Sequence, residues 1–252
     1  MARTTHDSGM NPQRLNLDSG IIMYDADVFE PARLLPDREW FSPRFWEAQG
    51  LDGARQRGRG TALMIRTPVG PSVLRQYLRG GFAARFIESR YAFTGYRRSR
   101  PVREFRVLEK LTNLGLPAPR PVAVLCERHF LSTTGAIITH EIENVRPLEQ
   151  VAKEMDDGGW RAVGSVIRQF HTNGLIHADL TVRNILVQEG GKVFLVDFDR
   201  ARFKKNAQQA FRNNLKRLHR SMVKSRHEQN EGINEKAWTQ LLKGYESSNP
   251  AG

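Results

Sequence analysis

A short stretch in the second half of the chain has residue types and spacings suited to phosphoryl transfer. The segment HADLTVRN contains His177, Asp179 and Asn184, and Asp197 follows thirteen residues after Asn184, at the end of the apolar run VFLV. Phosphoryl transfer requires a carboxylate beside the acceptor hydroxyl and hard oxygen ligands for Mg²⁺, which bridges the nucleotide phosphates. The spacing predicts Asp179 as the catalytic carboxylate and Asn184 with Asp197 as magnesium ligands.

The alternative interpretation is an ordinary loop with a buried histidine and carboxylates at the surface. A lone H-x-D pattern occurs often by chance. The combination of H-x-D-x-x-x-x-N, an apolar strand and D-F-D within one window is much rarer. We therefore favour the functional interpretation.

Hydrophobic periodicity predicts the elements that position these residues. In the second half we expect a helix ending near Asn173, two short strands around the D-F-D segment, and two further helices. The strands are predicted at Ile185–Val187 and Val193–Val196. The apolar positions of the three helices are Trp160, Val163, Ile167 and Phe170, then Phe211, Leu215, Leu218 and Met222, then Ile233, Ala237 and Leu241.

The first half favours strands. Residues 1–20 are polar and aperiodic, which predicts a mobile arm. We then expect a hairpin of Ala62–Arg66 with Ser72–Tyr77, a helix through Phe105, Leu108 and Leu111, and a strand pair of Val122–Leu125 with Gly135–Ile142. The prediction is an α+β, two-lobed fold with a strand-rich N-lobe at 21–143 and a reduced helical C-lobe at 144–252, with a cleft between them.

Composition narrows the class of protein and the chemistry of its partners. The chain has 252 residues, 39 Lys and Arg against 27 Asp and Glu, a net charge of +12, and the single cysteine Cys126. One cysteine excludes an internal disulfide framework, and no apolar run reaches the length of a membrane span. We expect a soluble intracellular protein, and the charge favours an anionic partner over a cationic substrate.

The HADLTVRN and VDFD segments resemble the catalytic and metal-binding loops of the protein-kinase-like superfamily. Three longer segments narrow the resemblance to the bacterial 3-deoxy-D-manno-octulosonic acid (Kdo) kinases, from about Gly58 to Arg202. These segments are VLRQYLRGGFAARFIESRYAFTGYRRSRPVREFRVLEKL, GLPAPRPVAV and HADLTVRNILV followed by VFLVDFDRAR. The resemblance implies a kinase-like fold, ATP and Mg²⁺ as cofactors, and phosphorylation of the Kdo 4-hydroxyl on the Kdo–lipid A precursor (Kdo–lipid IVA).

The resemblance also implies roles for residues of the first half. Gly58 and Gly60 would lie in the turn over the phosphates, and His177 would brace the catalytic loop. Protein kinases place a lysine on a strand and pair it with a helix glutamate, but here the strand SVLRQY offers Arg75, with Glu104 as the candidate partner. Arginine keeps the positive charge and binds phosphate bidentately. The alternative is that Arg75 is a surface arginine on an edge strand.

A second departure from the protein-kinase pattern is Asp199, which stands where that pattern has glycine. The 53 residues that follow contain no APE-like element. A phosphorylation-switched activation segment and a large peptide platform are therefore not expected. This favours a small or lipid-linked acceptor.

Basic residues cluster twice along the chain. Nine arginines lie between residues 75 and 106, and ten Lys and Arg without an acid lie between 200 and 226. The helix predicted at 207–226 has an apolar face and a basic face, as helices on membrane surfaces do, or as a core-packing helix does with a solvated basic side. The stretch Tyr91–Arg100 suits an acidic sugar, single-stranded nucleic acid, or a purely structural role.

The predicted function is a Mg·ATP-dependent kinase that acts on an acidic sugar of the lipid A precursor. Its location would be the cytoplasmic face of the bacterial inner membrane, as a peripheral protein on an anionic surface, with no nucleic acid expected as a partner. The alternatives are a small atypical protein kinase acting on Ser or Thr, an aminoglycoside-type kinase, and a basic nucleic-acid- or anion-binding module on a kinase fold. A cationic aminoglycoside is disfavoured by the charge of +12.

Overall fold

The structure, a computed structural model of the chain, describes residues 9–49, 62–77, 95–129, 132–227 and 232–247. The chain divides into two compact units. The first consists of Met1–Asn113 and Arg120–Glu141, and the second of Leu114–Pro119 and Ile142–Gly252. Both helices and strands are present, which confirms the mixed α and β content predicted from the sequence.

An antiparallel sheet of six strands forms the first unit. Its order is β1-β2-β5-β6-β4-β3. All neighbouring strands pair antiparallel. The strands are β1 (Pro12–Leu17), β2 (Gly20–Asp25), β3 (Ala62–Thr67), β4 (Gly70–Tyr77), β5 (Pro121–His129) and β6 (Ser132–His140).

Two of the predicted strand pairs are confirmed, and one prediction for the N-terminus is wrong. The β3–β4 hairpin and the β5–β6 pair form as expected. The predicted mobile arm at 1–20 is incorrect for Pro12–Leu17, because β1 pairs along its full length with β2. Every residue of β2 is buried, and β2 also pairs with β5. The N-terminal hairpin is therefore an integral part of the sheet.

Apolar side chains cover the sheet of the first unit. Helix α3 (Arg100–Asn113) contacts β5 and β6, and its residues Phe105, Leu108 and Leu111 are buried, as the periodicity predicted. A second group of aromatic residues packs with side chains of the sheet in one core cluster. It comes from α1 (Ala26–Phe29), α2 (Pro43–Ala48) and the 3₁₀ turn Arg38–Phe41, and comprises Phe29, Trp40, Phe41 and Trp46.

The second unit is richer in helix and contains the segment singled out from the sequence. It has two small antiparallel sheets, of order β10-β9-β7 and β11-β8. Its strands are β7 (Val145–Pro147), β8 (Leu175–Ile176), β9 (Ile185–Gln188), β10 (Val193–Leu195) and β11 (Arg202–Phe203). Its helices are α4 (Leu148–Val151), α5 (Asp157–Thr172), α6 (Gln208–His227) and α7 (Glu235–Ser247). The three longer helices and the β9–β10 pair confirm the predicted elements.

Helices α5 and α7 pack closely because a glycine lies on each side of the contact. A Cβ atom built on Gly164 would lie 1.9 Å from the carbonyl oxygen of Leu241, and one on Gly244 would lie 2.0 Å from that of Arg161. Both obstacles are backbone atoms, which cannot move without displacing a helix. The α5–α7 distance therefore depends on the absence of side chains at these two positions.

Replacing Gly164 with alanine is expected to destabilise the protein, although alanine favours helix by about 1 kcal/mol. Overpacking costs about 1–3 kcal/mol when it forces backbone shifts, and this contact requires one. Because the clash is with backbone, we take the upper part of this range, and after the gain in helix propensity we expect a net loss of about 1–2 kcal/mol in the free energy of unfolding, measured by urea denaturation. Gly158→Ala is the matched control, since Gly158 is exposed in the same helix and its added Cβ would lie 3.3 Å from an Asp156 side-chain oxygen. Equal stability losses in the two variants would contradict this account.

Candidate active site

The HADLTVRN segment connects β8 to β9 and is anchored by its apolar residues. Leu180, Val182 and Ile185 are buried, and Val182–Asn184 form a 3₁₀ turn that leads into β9. Between these anchors, Asp179 remains 54% exposed. The buried apolar residues thus fix the loop in the second unit. The polar Asp179 between them faces solvent.

A single imidazole joins the two segments that carry the predicted carboxylates. His177 is buried, its Nδ1 accepts a hydrogen bond from the Asp179 backbone N–H at 3.1 Å, and its Nε2 lies 3.0 Å from the carbonyl oxygen of Val196. Because Nδ1 is an acceptor, Nε2 carries the proton and donates a hydrogen bond to the carbonyl oxygen of Val196. Burial lowers the pKa of His177, so the ring is neutral at neutral pH. His177 therefore braces the loop, and Val196 directly precedes Asp197.

Asn184 makes two further links between the same segments. Its side-chain Nδ2 donates to the carbonyl oxygen of Asp179 at 2.8 Å, and its own carbonyl oxygen accepts from the Val196 N–H at 3.0 Å. With Nδ2 engaged in this way, the amide oxygen Oδ1 is the atom that can serve as a cation ligand. Asp179, Asn184 and the residue before Asp197 are thus held in one hydrogen-bonded group.

Asp197 has a backbone conformation that is uncommon for a residue other than glycine. Its φ is +65°, in the left-handed region, and its side chain is exposed. The next residue, Phe198, is buried, stacks on Phe170 at a centroid distance of 5.9 Å and lies 5.2 Å from the His177 ring. Burial of Phe198 fixes the backbone at this point, and the turn presents the Asp197 carboxylate outward. Such strained positions cluster at functional sites.

Helix α6 holds the catalytic loop through a residue that the sequence analysis missed. Asn214 is buried, its Oδ1 accepts from the His177 N–H at 3.0 Å and its Nδ2 donates to the His177 carbonyl oxygen at 2.6 Å. The same Oδ1 lies 3.3 Å from His171 Nε2, and His171 Nδ1 lies 2.9 Å from the Tyr245 hydroxyl. Burial lowers the pKa of His171 to about 4, which keeps this network neutral at pH 7.

The apolar side of α6 is buried in the second unit. Leu218 and Met222 are buried, and the helix contacts β8 and the 3₁₀ turn Val182–Asn184. The core-packing interpretation of this helix is therefore confirmed for its apolar face. The basic side chains of α6 remain at the surface.

One of those basic side chains contacts the predicted catalytic carboxylate. Arg217 Nη1 lies 2.9 Å from Asp179 Oδ1, and the two side chains are 47% and 54% exposed. They line a cavity of about 490 Å³, together with Glu149 and Arg183 and with Arg220 and Lys224 from α6. The basic cluster at 200–226 is visible in the sequence, but its spacing along the chain connects none of its members with Asp179.

The first unit contains the predicted ion pair between β4 and α3. Arg75 and Glu104 form a salt bridge, and Glu104 is only 4% exposed. The Tyr77 hydroxyl donates to Glu104 and accepts from Arg75 Nη2 at 3.2 Å, and Arg100 lies over the Tyr77 ring at 5.7 Å. The predicted contact between Arg75 and Glu104 is thus present, and Arg75 is not on an edge strand, because β4 lies between β6 and β3. Their contact with nucleotide stays a prediction.

Several predicted features lie outside the described residues or produce no further site. Gly58, Gly60 and the first four residues of the Tyr91–Arg100 stretch fall in segments that the structure does not describe. Among the described ranges, no group of three or more His, Cys, Asp or Glu residues is placed to hold a metal ion. Within those same ranges, every helix falls short of the length and apolarity that a membrane crossing would require.

Comparison with known proteins agrees with this geometry. The family model described as "Lipopolysaccharide kinase (Kdo/WaaP) family" matches residues 44–245. The chain is similar to several proteins named 3-deoxy-D-manno-octulosonic acid kinase. It is 40% identical over 238 residues to one from Xanthomonas axonopodis pv. citri, and the match covers 93% of each chain. It is 37% identical over 238 residues to one from Stenotrophomonas maltophilia, and that match covers 94% of each chain. A third, from Xanthomonas oryzae pv. oryzae, is 41% identical over 227 residues, covering 88% of this chain and 90% of the relative. The chain belongs to the lipopolysaccharide kinase (Kdo/WaaP) family.

Proposed function

We propose that this protein is a phosphotransferase that moves the γ-phosphoryl group of ATP to the 4-hydroxyl of a Kdo residue on the Kdo–lipid A precursor. The observation that carries the proposal is the His177 imidazole, which bonds to the Asp179 backbone on one side and to Val196, next to Asp197, on the other. The family match and the names of the similar proteins support the reaction and the acceptor.

Asp179 is the group that acts on the acceptor. Its carboxylate is exposed beside a cavity, where it can orient the sugar hydroxyl and accept its proton as the phosphorus–oxygen bond forms. The hydrogen bond from its backbone N–H to buried His177 fixes the position of the loop. His177 serves as a positioning residue, because its two ring nitrogens are both engaged in holding backbone groups.

Asn184 and Asp197 are the residues that would hold Mg²⁺. An amide oxygen and a carboxylate are hard oxygen donors, which suit this ion, and magnesium binds through few protein ligands plus phosphates and water. When bound, the ion neutralises charge on the phosphates of the nucleotide. The hydrogen bond from Asn184 Nδ2 to Asp179 sets which atom of its amide is offered to the metal.

The two compact units correspond, in this proposal, to the N-lobe and C-lobe of a kinase-like fold. Arg75, held by Glu104, would contact the nucleotide phosphates in place of the usual lysine, and the turn with Gly58 and Gly60 would cover them. The buried Glu104 and the Tyr77 hydroxyl restrict the Arg75 side chain, so little conformational entropy is lost on binding.

Arg75→Ala is expected to raise the KM for ATP about tenfold, because a charge-assisted hydrogen bond contributes about 1.5–3 kcal/mol and 1.4 kcal/mol corresponds to a factor of ten. Arg75→Lys should recover part of the loss, since it restores the charge without the bidentate geometry. Initial rates at varied ATP test both variants. Arg66→Ala on neighbouring β3, which removes an exposed arginine, is the matched control. Equal KM values for Arg75→Ala and this control would remove Arg75 from the phosphate site.

The location proposed is the cytoplasmic face of the bacterial inner membrane, with peripheral attachment. The net charge of +12 supports attraction to an anionic membrane surface, where each basic residue close to the surface adds about 1 kcal/mol. Such binding is electrostatic and reversible.

A side-by-side phosphoryl-transfer assay tests the proposed function. Purified protein is incubated with radiolabelled ATP and Mg²⁺ and offered Kdo–lipid A precursor, a mixture of proteins, or an aminoglycoside. We expect label only in the Kdo–lipid, and mapping of the product should place the phosphate at the 4-hydroxyl. Label in serine or threonine of the protein mixture, or in the aminoglycoside, with none in the Kdo–lipid would overturn the proposal.

A further inference from the structure

We infer that the cavity between Asp179 and helix α6 binds the carboxylate of the acceptor sugar, and that Arg220 and Lys224 are the residues that recognise it. This inference rests on the proposed function and names the specificity determinant of the same site. It concerns residues that lie outside the H-x-D and D-F-D segments.

The cavity has more positive than negative charge. Four cations line it, Arg183, Arg217, Arg220 and Lys224, against the two carboxylates of Glu149 and Asp179. At a volume of about 490 Å³ it has the size of a site for a small ligand. The lining therefore favours a small anionic ligand.

The ion pairs inside the cavity separate its cations into two groups. Arg183 Nε lies 3.0 Å from Glu149 Oε2, and Arg217 Nη1 lies 2.9 Å from Asp179 Oδ1. Arg220 and Lys224 form no ion pair with any residue in the ranges that the structure describes. Within the described part of the chain, these two side chains are therefore the cations of the cavity whose charge is available to a ligand.

The positions of Arg220 and Lys224 along α6 determine which anionic group of the acceptor these two side chains can contact. Arg217, Arg220 and Lys224 follow one another at three and four residues, so they share a face of the helix. At about 1.5 Å per residue, Arg220 lies about 4.5 Å and Lys224 about 10 Å beyond Arg217 along the axis. A sugar ring whose hydroxyl is at Asp179 would place a carboxylate of the same ring within this distance. Phosphates on the lipid portion lie further away.

The surrounding contacts hold this face of α6 in place relative to Asp179. Asn214, one turn before Arg217, is bonded to both backbone groups of His177. Ser221 accepts a hydrogen bond from the Val182 N–H at 3.2 Å. The helix and the catalytic loop therefore form one rigid frame in which a cation on α6 sets the position of the acceptor.

The test compares Arg220→Gln/Lys224→Gln with Arg212→Gln/Lys216→Gln, which removes the same charge from exposed positions of α6 outside the cavity. Initial rates are measured in neutral detergent micelles with three acceptors: Kdo–lipid A precursor, the same compound with its Kdo carboxyl reduced to an alcohol, and the compound without its lipid phosphates. We expect the first variant to raise the KM for the intact acceptor about tenfold or more, with the KM for ATP unchanged.

The reduced acceptor distinguishes recognition from a general structural effect. The wild type and the Arg212→Gln/Lys216→Gln control should bind the reduced acceptor about tenfold more weakly than the intact one, whereas Arg220→Gln/Lys224→Gln should bind the two equally. An unchanged preference for the carboxylate in that variant overturns the inference. If Arg220→Gln/Lys224→Gln no longer distinguishes the intact acceptor from the one without lipid phosphates, but still prefers the carboxylate, the inference is overturned and the two residues form a phosphate site instead. A wild type that transfers no phosphate to Kdo–lipid instead defeats the proposed function itself.

Discussion

Asp179→Asn is expected to lower kcat by about 10²–10⁴ and to leave ATP binding close to that of the wild type. The asparagine has the same size and can still accept a hydrogen bond from Arg217, but it cannot take the proton of the acceptor hydroxyl. A positioned general base contributes about this factor to the rate. Because the proposal places the Asp179 carboxylate beside the acceptor and not beside the nucleotide, the nucleotide loses no ligand. Single-turnover transfer and calorimetric titration with Mg·ATP measure the two quantities.

Glu189→Gln is the matched control for this variant. Glu189 is exposed in the turn between β9 and β10, so the substitution removes one carboxylate from the same unit away from the cavity. We expect its kcat to remain near the wild-type value. If Asp179→Asn turns over within a few-fold of this control, Asp179 is not the general base.

Asp197→Asn is expected to weaken the binding of Mg·ATP itself and to reduce kcat/KM by about 10² or more. A divalent cation on a phosphoryl oxygen supplies several kcal/mol of charge stabilisation, and each 1.4 kcal/mol is a factor of ten. Asparagine is the informative substitution because Asp197 has a φ of +65°, a conformation that asparagine also adopts readily. An alanine there would add backbone strain to the loss of the carboxylate.

The dependence on Mg²⁺ separates this effect from a general loss of activity. For Asp197→Asn we expect the Mg²⁺ concentration for half-maximal rate to rise, whereas in Asp179→Asn and Glu189→Gln it should match the wild type. A manganese titration gives an independent measurement, since the paramagnetism of the bound ion reports occupancy without turnover. Identical metal dependence in all four proteins would exclude Asp197 as a metal ligand.

That Asp179, Asn184 and Asp197 lie in linked segments could be predicted from sequence because their geometry is local. Asp179 and Asn184 lie in one loop, and Asp197 lies at the end of the hairpin that directly follows it. The Arg75–Glu104 pair was also predictable, since it requires only that a strand residue and an early helix residue meet. In each case the spacing in the chain limits the spacing in the fold.

Asn214 and Arg217 could not be assigned in this way, because they reach the loop only through the docking of α6. Helical periodicity placed Phe211, Leu218 and Met222 on the buried face but left open which neighbours meet His177 and Asp179. A signal was nevertheless present, since Asn214 lies three residues after Phe211 and four before Leu218, on the apolar face. A polar residue in that position needs a buried partner.

The N-terminal hairpin of β1 and β2 was mispredicted for a different reason. The run GIIMYD is continuously apolar up to its last residues, as a fully buried strand is, but the polar residues before it suggested an arm. The polar composition of residues 1–20, taken as a whole, concealed the six-residue strand β1 within them. The aromatic residues of 26–48, which complete the core of the first unit, were missed because their spacing follows no single period.

Protein engineers who shorten this enzyme from its N-terminus would meet a limit at β1. Asp25, at the end of β2, is fully buried, accepts from Arg120 Nε at 2.9 Å and also from the Asn11 N–H at 3.0 Å. Deleting the hairpin would remove the carboxylate nearest to Arg120 and turn β5 into an unpaired sheet edge, which invites pairing between molecules. Affinity tags and fusion partners should therefore not replace β1 or β2.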